Sequence, residues 1–511
     1  MRIKNSMKNI YINILTQIVI TLLGFFSRKV FLDSLGIEYL GINGLLTNIL
    51  SMLGLVEGGI GASIVYNLYK PLANNDKPKI IALVQLYKKI YSILAIGIFI
   101  LGLSLYPFLG ILMNEGGNIP FISIIYIIFL IKNIISYLNA HKWSLINADQ
   151  RGYILAKYNL LFNVITTISK VIILITTKNY ILYLLIEATI FIIQNIYNGK
   201  VVEKRYPYIK TKDKYIVEKE VKDNLIMNVK ALFLHNIGGY CVFGTDNILI
   251  SALINVKTVG LYSNYTMIIS QVSSLLTPII NGIGASVGNL IATESKEKNY
   301  EIFKVANFIS FWIYSFCSIA LYNLINPFIT WFFGEGLLLD RLTLLIVLIN
   351  FYITGMRNVI NIFKSKAGIF SQDKYVPIIE SVINLGSSLI LVKYLGLAGI
   401  FIGTTISSIT IPLWIQSKLV YNNVFNKSVL EYFKNYVIYI IMTVIASIIT
   451  NRICYIFEIN NNFTSLIFKG IICFIIPNML FLLVFFKTSE FQYLWNVFIP
   501  KITKVKVKLS R

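Results

Sequence analysis

A chain of 511 residues that is 56% hydrophobic and only 14% charged departs from the soluble norm of about a quarter charged, which excludes a water-soluble globular enzyme. The formal charge of +23 would point to nucleic acid in a soluble protein. Here the Lys and Arg are spread over many gaps between apolar runs and form no single stripe, so nucleic acid is not an expected partner.

A bilayer crossing takes about 20 apolar residues, and stretches of that kind fall at 9–31, 39–69, 88–113, 120–146, 153–177, 180–199, 224–254, 260–291, 303–333, 342–370, 376–394, 397–420, 432–455 and 464–486. They predict an all-α polytopic membrane protein with 14 transmembrane helices. The first stretch is too long for a secretory signal and ends in Ser27-Arg28-Lys29 without a small-residue cleavage site, so it reads as helix 1. Basic residues crowd every second gap. By the positive-inside rule the N-terminus is cytoplasmic, and an even number of crossings returns the basic tail of Lys501, Lys504, Lys506, Lys508 and Arg511 to the same side. The expected location is a bacterial inner (plasma) membrane. The longest polar interval, 200–224, is too short to close a core of its own.

Helix 1 carries Asn13, Gln17, Thr21, Gly24 and Arg28 within an arc of about 80° at 100° per residue, a face unsuited to lipid. Helix 2 repeats the pattern with Asn43, Thr47, Ser51, Gly54, Gly58 and Gly61, and Glu57 lies at its edge. Lys132 in helix 4 and Lys170 in helix 5 are the most embedded cations, with Glu57, Glu187 or a backbone carbonyl as available partners. Helix 7 aligns Asn228, His235, Gly239 and Asp246; helix 8 offers Asn264, Gln271, Ser274, Pro278 and Asn281. Arg357 and Lys364 fall toward the cytoplasmic end of helix 10, where an interfacial place is expected. Charged groups in such positions cost about 2.5–3.5 kcal/mol each at the bilayer centre and face water or a partner.

Gly59-Ile60-Gly61-Ala62-Ser63 recurs as Gly282-Ile283-Gly284-Ala285-Ser286, late in the second long helix of each half. Leu40-Gly41 opens helix 2 as Val259-Gly260-Leu261-Tyr262 opens helix 8. Six crossings separate the copies, so the halves share one orientation, the parallel-repeat plan that puts a substrate path between two bundles. The expected organisation is an N-lobe of helices 1–6 (1–200), a basic cytoplasmic linker (201–223), a C-lobe of helices 7–12 (224–420), and helices 13–14 with the tail (421–511). Within the repeat Arg28 and Asp246 occupy nearly equivalent places, which predicts that they face each other.

No nucleotide loop, dinucleotide fingerprint, zinc-protease helix or nucleophile elbow is present, which excludes an ATP-driven pump within this chain. Cys241, Cys317, Cys454 and Cys473 have no paired spacing and read as reduced packing residues, and His141 and His235 stand far apart. No cofactor or metal is expected.

The run Phe26-Ser27-Arg28-Lys29 leading into Leu35-Gly36-Ile37-Glu38-Tyr39-Leu40-Gly41, then Leu55-Val56-Glu57-Gly58-Gly59-Ile60-Gly61 and Tyr69-Lys70-Pro71-Leu72-Ala73, resembles the opening of bacterial Wzx-type polysaccharide flippases of the multidrug/oligosaccharidyl-lipid/polysaccharide (MOP) exporter superfamily. Asp246-Asn247 with Val259-Gly260-Leu261-Tyr262-Ser263 resembles that family's helix 7–8 signature. The resemblance implies two six-helix lobes in a V with two extra C-terminal helices. It implies alternating-access export of undecaprenyl-diphosphate-linked oligosaccharide repeat units, for O-antigen or capsule assembly, beside the polymerase and glycosyltransferases of the same pathway. In the related lipid II flippases an arginine of helix 1 and a Glu-Gly of helix 2 border the cavity, and Arg28 and Glu57-Gly58 match them; few other arginines in the first helices favour a general repeat-unit flippase over a lipid II flippase.

Such a substrate, set among membrane lipids, needs cations for its diphosphate and neutral polar groups for its sugars. Arg28, Lys29, Lys132 and Lys170 are the candidates for the former; Asn13, Gln17, Asn43, Asn264 and Gln271 for the latter; Glu57 and Asp246 for ion coupling or gating. The rivals are a lipid II flippase and a cation-coupled drug or metabolite antiporter of the same superfamily. An acidic cavity would mark the antiporter, and the outer-half cations of helix 1 speak against it. A membrane glycan polymerase or ligase would carry a long outer loop, and the outer loops are short.

Overall fold

The computed structural model describes residues 2–57, 60–113, 120–219, 222, 240, 244–369, 372–456 and 463–496, with side chains described from Gln17 onward in the first helix. Where the fourteen apolar stretches fall on these residues they are mostly helix, and there is no strand among the described residues. Nine of the described helices, or ten counting one bent pair as a span, are long and apolar enough to cross a membrane. The protein is an all-helical, multi-span membrane protein. Its chain divides into two compact units, Met1–Ser263 and Asn264–Arg511.

In the first unit α1 (Arg2–Leu35) stops at Gly36, whose φ of +85° suits glycine, and α2 (Ile37–Leu53) begins at once. The start of α2 passes the start of a later helix, Val256–Thr293, backbone against backbone. A Cβ on Gly41 would lie 2.0 Å from the Val256 carbonyl oxygen, and one on Gly260 would lie 2.3 Å from that of Ile37. This reciprocal contact is the physical content of the Leu40-Gly41 and Val259-Gly260 pairs, since small residues let membrane helices approach closely. Gly41→Val or Gly260→Val is expected to cost about 1–3 kcal/mol by overpacking, read as earlier thermal unfolding of the purified protein. An unchanged midpoint would mean that the crossing tolerates a side chain.

Predicted helix 2 is not continuous, as α2 gives way to a 3₁₀ turn, Gly54–Glu57, before α3 (Ile60–Ala73). Glycine weakens a helix by about 1 kcal/mol, and Gly54 sits where a Cβ would meet the Tyr137 hydroxyl at 3.2 Å. The turn carries Glu57. The next helix, α4 (Lys77–Leu105), is capped by Asp76, whose side chain accepts from the Lys79 N–H, and α5 (Leu109–Leu112) follows. Predicted helix 4 is also broken: α6 (Ile122–Leu138) and α7 (Ala140–Ala148) meet at 45°. At the bend Asn139 leaves helical geometry, and its amide donates to Asn195 Oδ1 at 2.5 Å.

Helix α8 (Tyr153–Thr177) runs along α1 on one side and α9 (Tyr180–Arg205) on the other. Its exposed Leu161, Ile165, Ile168, Ile172 and Ile175 recur at helical spacing and form a lipid-suited stripe. Helix α6 packs between α4 and α9, and α10 (Asp246–Leu253) lies on α2. The unit closes with the first turns of α11 (Val256–Thr293).

The second unit takes in the rest of α11, then α12 (Lys296–Phe332), α13 (Arg341–Lys366), α14 (Val376–Leu395), α15 (Leu397–Thr410), α16 (Pro412–Val420), α17 (Leu430–Ile456) and α18 (Phe463–Phe485). Predicted helix 12 breaks at Ile411 because Pro412 cannot donate to the helical ladder. The last two helices pack on α12. Phe311 stacks on Tyr439 with ring centroids 4.2 Å apart, and the Trp312 indole donates to Asn478 Oδ1 at 2.6 Å. Cys317, Cys454 and Cys473 are free thiols.

Arg357 and Lys364 do not extend outward from the protein. They are 8% and 4% exposed and belong to a buried polar chain. Arg357 pairs with Glu380 at 3.1 Å, Ser408 donates to the same Glu380 oxygen, Gln416 spans from Arg357 to Asp373, and Lys364 pairs with Asp373. The neighbouring carboxylates explain why burial won over snorkelling. Removing one member of a buried pair strands its partner at a cost of about 3–5 kcal/mol, whereas replacing both is nearly neutral. Glu380→Leu is therefore expected to destabilise the purified protein by about that amount, and adding Arg357→Met to restore most of it. A double variant as unstable as the single one would contradict the pairing.

Candidate functional site

Of the charged groups of the first unit, Arg28, Lys132, Lys170 and Glu187 stand on α1, α6, α8 and α9 in turn. Glu187, one-fifth exposed on α9, receives two ammonium groups: Lys132 of α6 on one carboxylate oxygen, and Lys170 of α8 on the other at 2.5 Å. Lys170 also stands over the Tyr183 ring, 4.3 Å from its centroid, a cation–π contact one turn before Glu187. Arg28 of α1 lies within electrostatic range of the same Tyr183 phenol. Its Nη1 donates to Ser263 Oγ at 3.1 Å while that hydroxyl donates to the Gly260 carbonyl at 2.8 Å, so the serine presents a lone pair to the guanidinium.

Aromatic packing holds this arrangement. Phe31, three residues beyond Arg28, meets Tyr180 and Tyr183 edge-on at 5.9 and 5.2 Å, and Tyr39 closes on Tyr180 at 4.9 Å. The rings fix α1 against the start of α9 and thereby fix the Arg28 position. Two ammonium groups on one carboxylate leave positive charge in excess, and Arg28 approaches the same group of side chains at Tyr183. Such a cluster can take a multiply charged anion whose oxygens share the lysine ammonium groups with Glu187.

The other predicted residues are placed as follows. Lys29 pairs with Asp33 at 3.0 Å on the exposed flank of α1. Glu57 accepts from the Tyr91 hydroxyl at 3.0 Å, with Gly61 leaving the space that a Cβ would fill 2.9 Å from its oxygen; its partner is a phenol. Asp246 opens α10 within electrostatic range of Tyr262, next to the Ser263 that Arg28 contacts, so one turn of α11 meets both residues. Asp246 Oδ1 is buried without a hydrogen bond. Gln17, Asn43 and Gln271 are partly exposed, whereas Asn264 is fully buried in α11. The side chains of Asn13 and Asn281, along with Gly58, Gly59, Asn228, His235, Gly239 and Cys241, lie outside the described residues, as do the basic tail and the side chains of 282–286.

Two participants escaped the sequence reading. Tyr183 stands four residues before Glu187, and Tyr91 comes from a different span than Glu57. Helical spacing from Glu187 could have found the first; nothing local could have found the second.

No protein-family model and no curated protein matches the sequence. Solved structures do. The chain is similar to a lipid II flippase, MurJ, in an inward closed conformation, with a TM-score of 0.67 and 15% identity over 93% of this chain and 99% of that one. It is similar to an inward-facing multidrug resistance MATE family transporter of the MOP superfamily, with a TM-score of 0.61 and 15% identity over 80% of this chain and 99% of that one. A MOP superfamily transporter from Pyrococcus furiosus aligns with a TM-score of 0.51 and 14% identity over 81% of this chain and 94% of that one. At such identities the likeness establishes the fold, which is that of these transporters.

Proposed function

We propose that this protein is a flippase that carries polyprenyl-diphosphate-linked oligosaccharide from the inner to the outer leaflet of a bacterial cell membrane, by alternating access, for cell-surface polysaccharide assembly. The supporting observation is Lys132 and Lys170 sharing Glu187, with Arg28 of α1 near the same Tyr183 that Lys170 stands over, set in a fold shared with a lipid II flippase. A diphosphate is the part of such a lipid that hydrocarbon rejects most strongly, and a cluster with surplus positive charge offsets that cost at membrane depth. Arg28 supplies a planar fork for phosphate oxygens, and Lys170 and Lys132 supply point charges. Glu187 holds the lysines apart and in place when no substrate is bound. The likeness to the lipid II flippase favours lipid II itself as a second reading, with the same diphosphate chemistry and a different glycan.

The test is reconstitution of the full chain in liposomes with an undecaprenyl-diphosphate oligosaccharide bearing a fluorophore, followed by quenching from outside. Protein-dependent movement between leaflets is expected. A rate equal to that of protein-free liposomes, with efflux of a lipophilic cationic dye in the same vesicles, would overturn the flippase reading in favour of an antiporter.

A further inference from the structure

Next to the ion cluster the first unit contains a cavity of about 640 Å³ among α6, α7, α8 and α9, within the range of about 300–1,000 Å³ typical of small-molecule sites. Its lining carries no charged side chain. Trp143, Asn147, Asn159, Gln194, Asn195 and Asn198 supply most of its polar and aromatic surface. The amides are ordered by one another: Asn159 Oδ1 accepts from Gln194 at 2.9 Å and from Asn198 at 2.7 Å, and Asn195 accepts from Asn139. Asn198 is 5% exposed, and its Oδ1 is buried with no hydrogen-bond partner. An oxygen in that state costs about 1–3 kcal/mol until a donor reaches it.

We propose that this cavity is a docking site for an uncharged, hydroxyl-rich sugar unit. The proposal rests on the flippase reading and names the part of the substrate that the cation cluster does not address. The amide groups not already used among themselves can pair with neighbouring hydroxyls or an N-acetyl group, and Trp143 adds aromatic surface against which a pyranose ring can pack. The lining itself holds no cation that would pair directly with a carboxylate, so neutral sugars are the expected occupants in preference to uronic acids. The two sites are also in register. Ser136 and Phe191 of the cavity lining lie one helical turn beyond Lys132 and Glu187, about 6 Å along their helices, and Lys132 Nζ is 6.0 Å from the Phe191 ring centroid. Diphosphate on the cluster would therefore leave the attached sugar beside the amides.

Saturation-transfer NMR on the full-length protein in nanodiscs tests this, with methyl N-acetyl-β-glucosaminide, methyl β-glucoside and glucuronate as separate probes. Both neutral glycosides are expected to receive saturation and glucuronate little. Asn159→Leu, which removes the acceptor that orders Gln194 and Asn198, and Trp143→Ala should each weaken neutral-sugar binding by about tenfold. If Asn159→Leu unfolds early, Trp143→Ala carries the test alone. Equal transfer in wild type and the Trp143 variant, no transfer to wild type, or glucuronate binding as well as the neutral sugars would each overturn the proposal. The liposome assay separates the two readings: translocation with no saccharide binding sinks the sugar site alone, whereas loss of both sinks the flippase as well. Wild-type sugar binding without any translocation would identify a site for free sugar and overturn the link to a lipid carrier.

Discussion

Arg28→Ala is expected to lower translocation of the diphosphate-linked oligosaccharide by at least about 30-fold, while the protein still inserts and folds. Truncating one partner of a desolvated, hydrogen-bonded charge pair costs about 2–5 kcal/mol, and 2 kcal/mol corresponds to about 30-fold in rate or affinity. The structure makes Arg28 a sensitive position: its guanidinium is held by the Ser263 hydroxyl and its helix is pinned by the ring contacts of Phe31 with Tyr180 and Tyr183, so it is ordered before any substrate arrives. Arg28→Lys keeps the charge and loses the planar fork, and should recover only part of the rate. In cells the alanine variant should be present in the membrane and fail to display surface polysaccharide. Normal display would remove Arg28 from the mechanism.

Glu187→Gln should separate the two states of the cluster. Without its carboxylate, Lys132 and Lys170 lose the anion they share, and two cations held near one another at membrane depth are costly. The unliganded variant is expected to lose about 3–5 kcal/mol of stability, read as a lower thermal midpoint in detergent. An anionic ligand that replaces the missing charge should restore it by mass action, so inorganic pyrophosphate should raise the midpoint of Glu187→Gln more than that of the wild type. Equal shifts in both proteins would mean that the lysines do not receive phosphate and that the cluster is a structural clasp.

Much of the architecture could be read without coordinates. The fourteen apolar stretches predicted helices because hydrocarbon thickness sets a length that composition alone reveals. The prominence of Arg28 came from a polar stripe on an otherwise apolar helix, a local signal of the same kind. The breaks at Gly54 and Asn139 were not foreseen; beside each stands a group from another span, the Tyr137 hydroxyl near Gly54 and the Asn195 side chain at Asn139. Glu57 was weighed against lysine or arginine partners, and its oxygen instead meets Tyr91. Arg357 and Lys364 were read as interfacial from their place near a helix end, before the carboxylates of Glu380 and Asp373 could be placed beside them.

The amino-acid sequence by itself determined that this chain is a helical, many-span membrane protein, because periodic apolarity is a property of consecutive residues and needs no partner. Only the tertiary structure decided which charges satisfy one another. Lys132, Lys170 and Glu187 come from three separate helices, and their meeting depends on how each helix is rotated and how deeply it sits. The same holds for the amide-lined cavity, whose residues are unremarkable along the chain and acquire a common purpose when four helices turn them toward one space. Sequence spacing fixes the face on which a side chain stands; packing between distant segments fixes what that face meets.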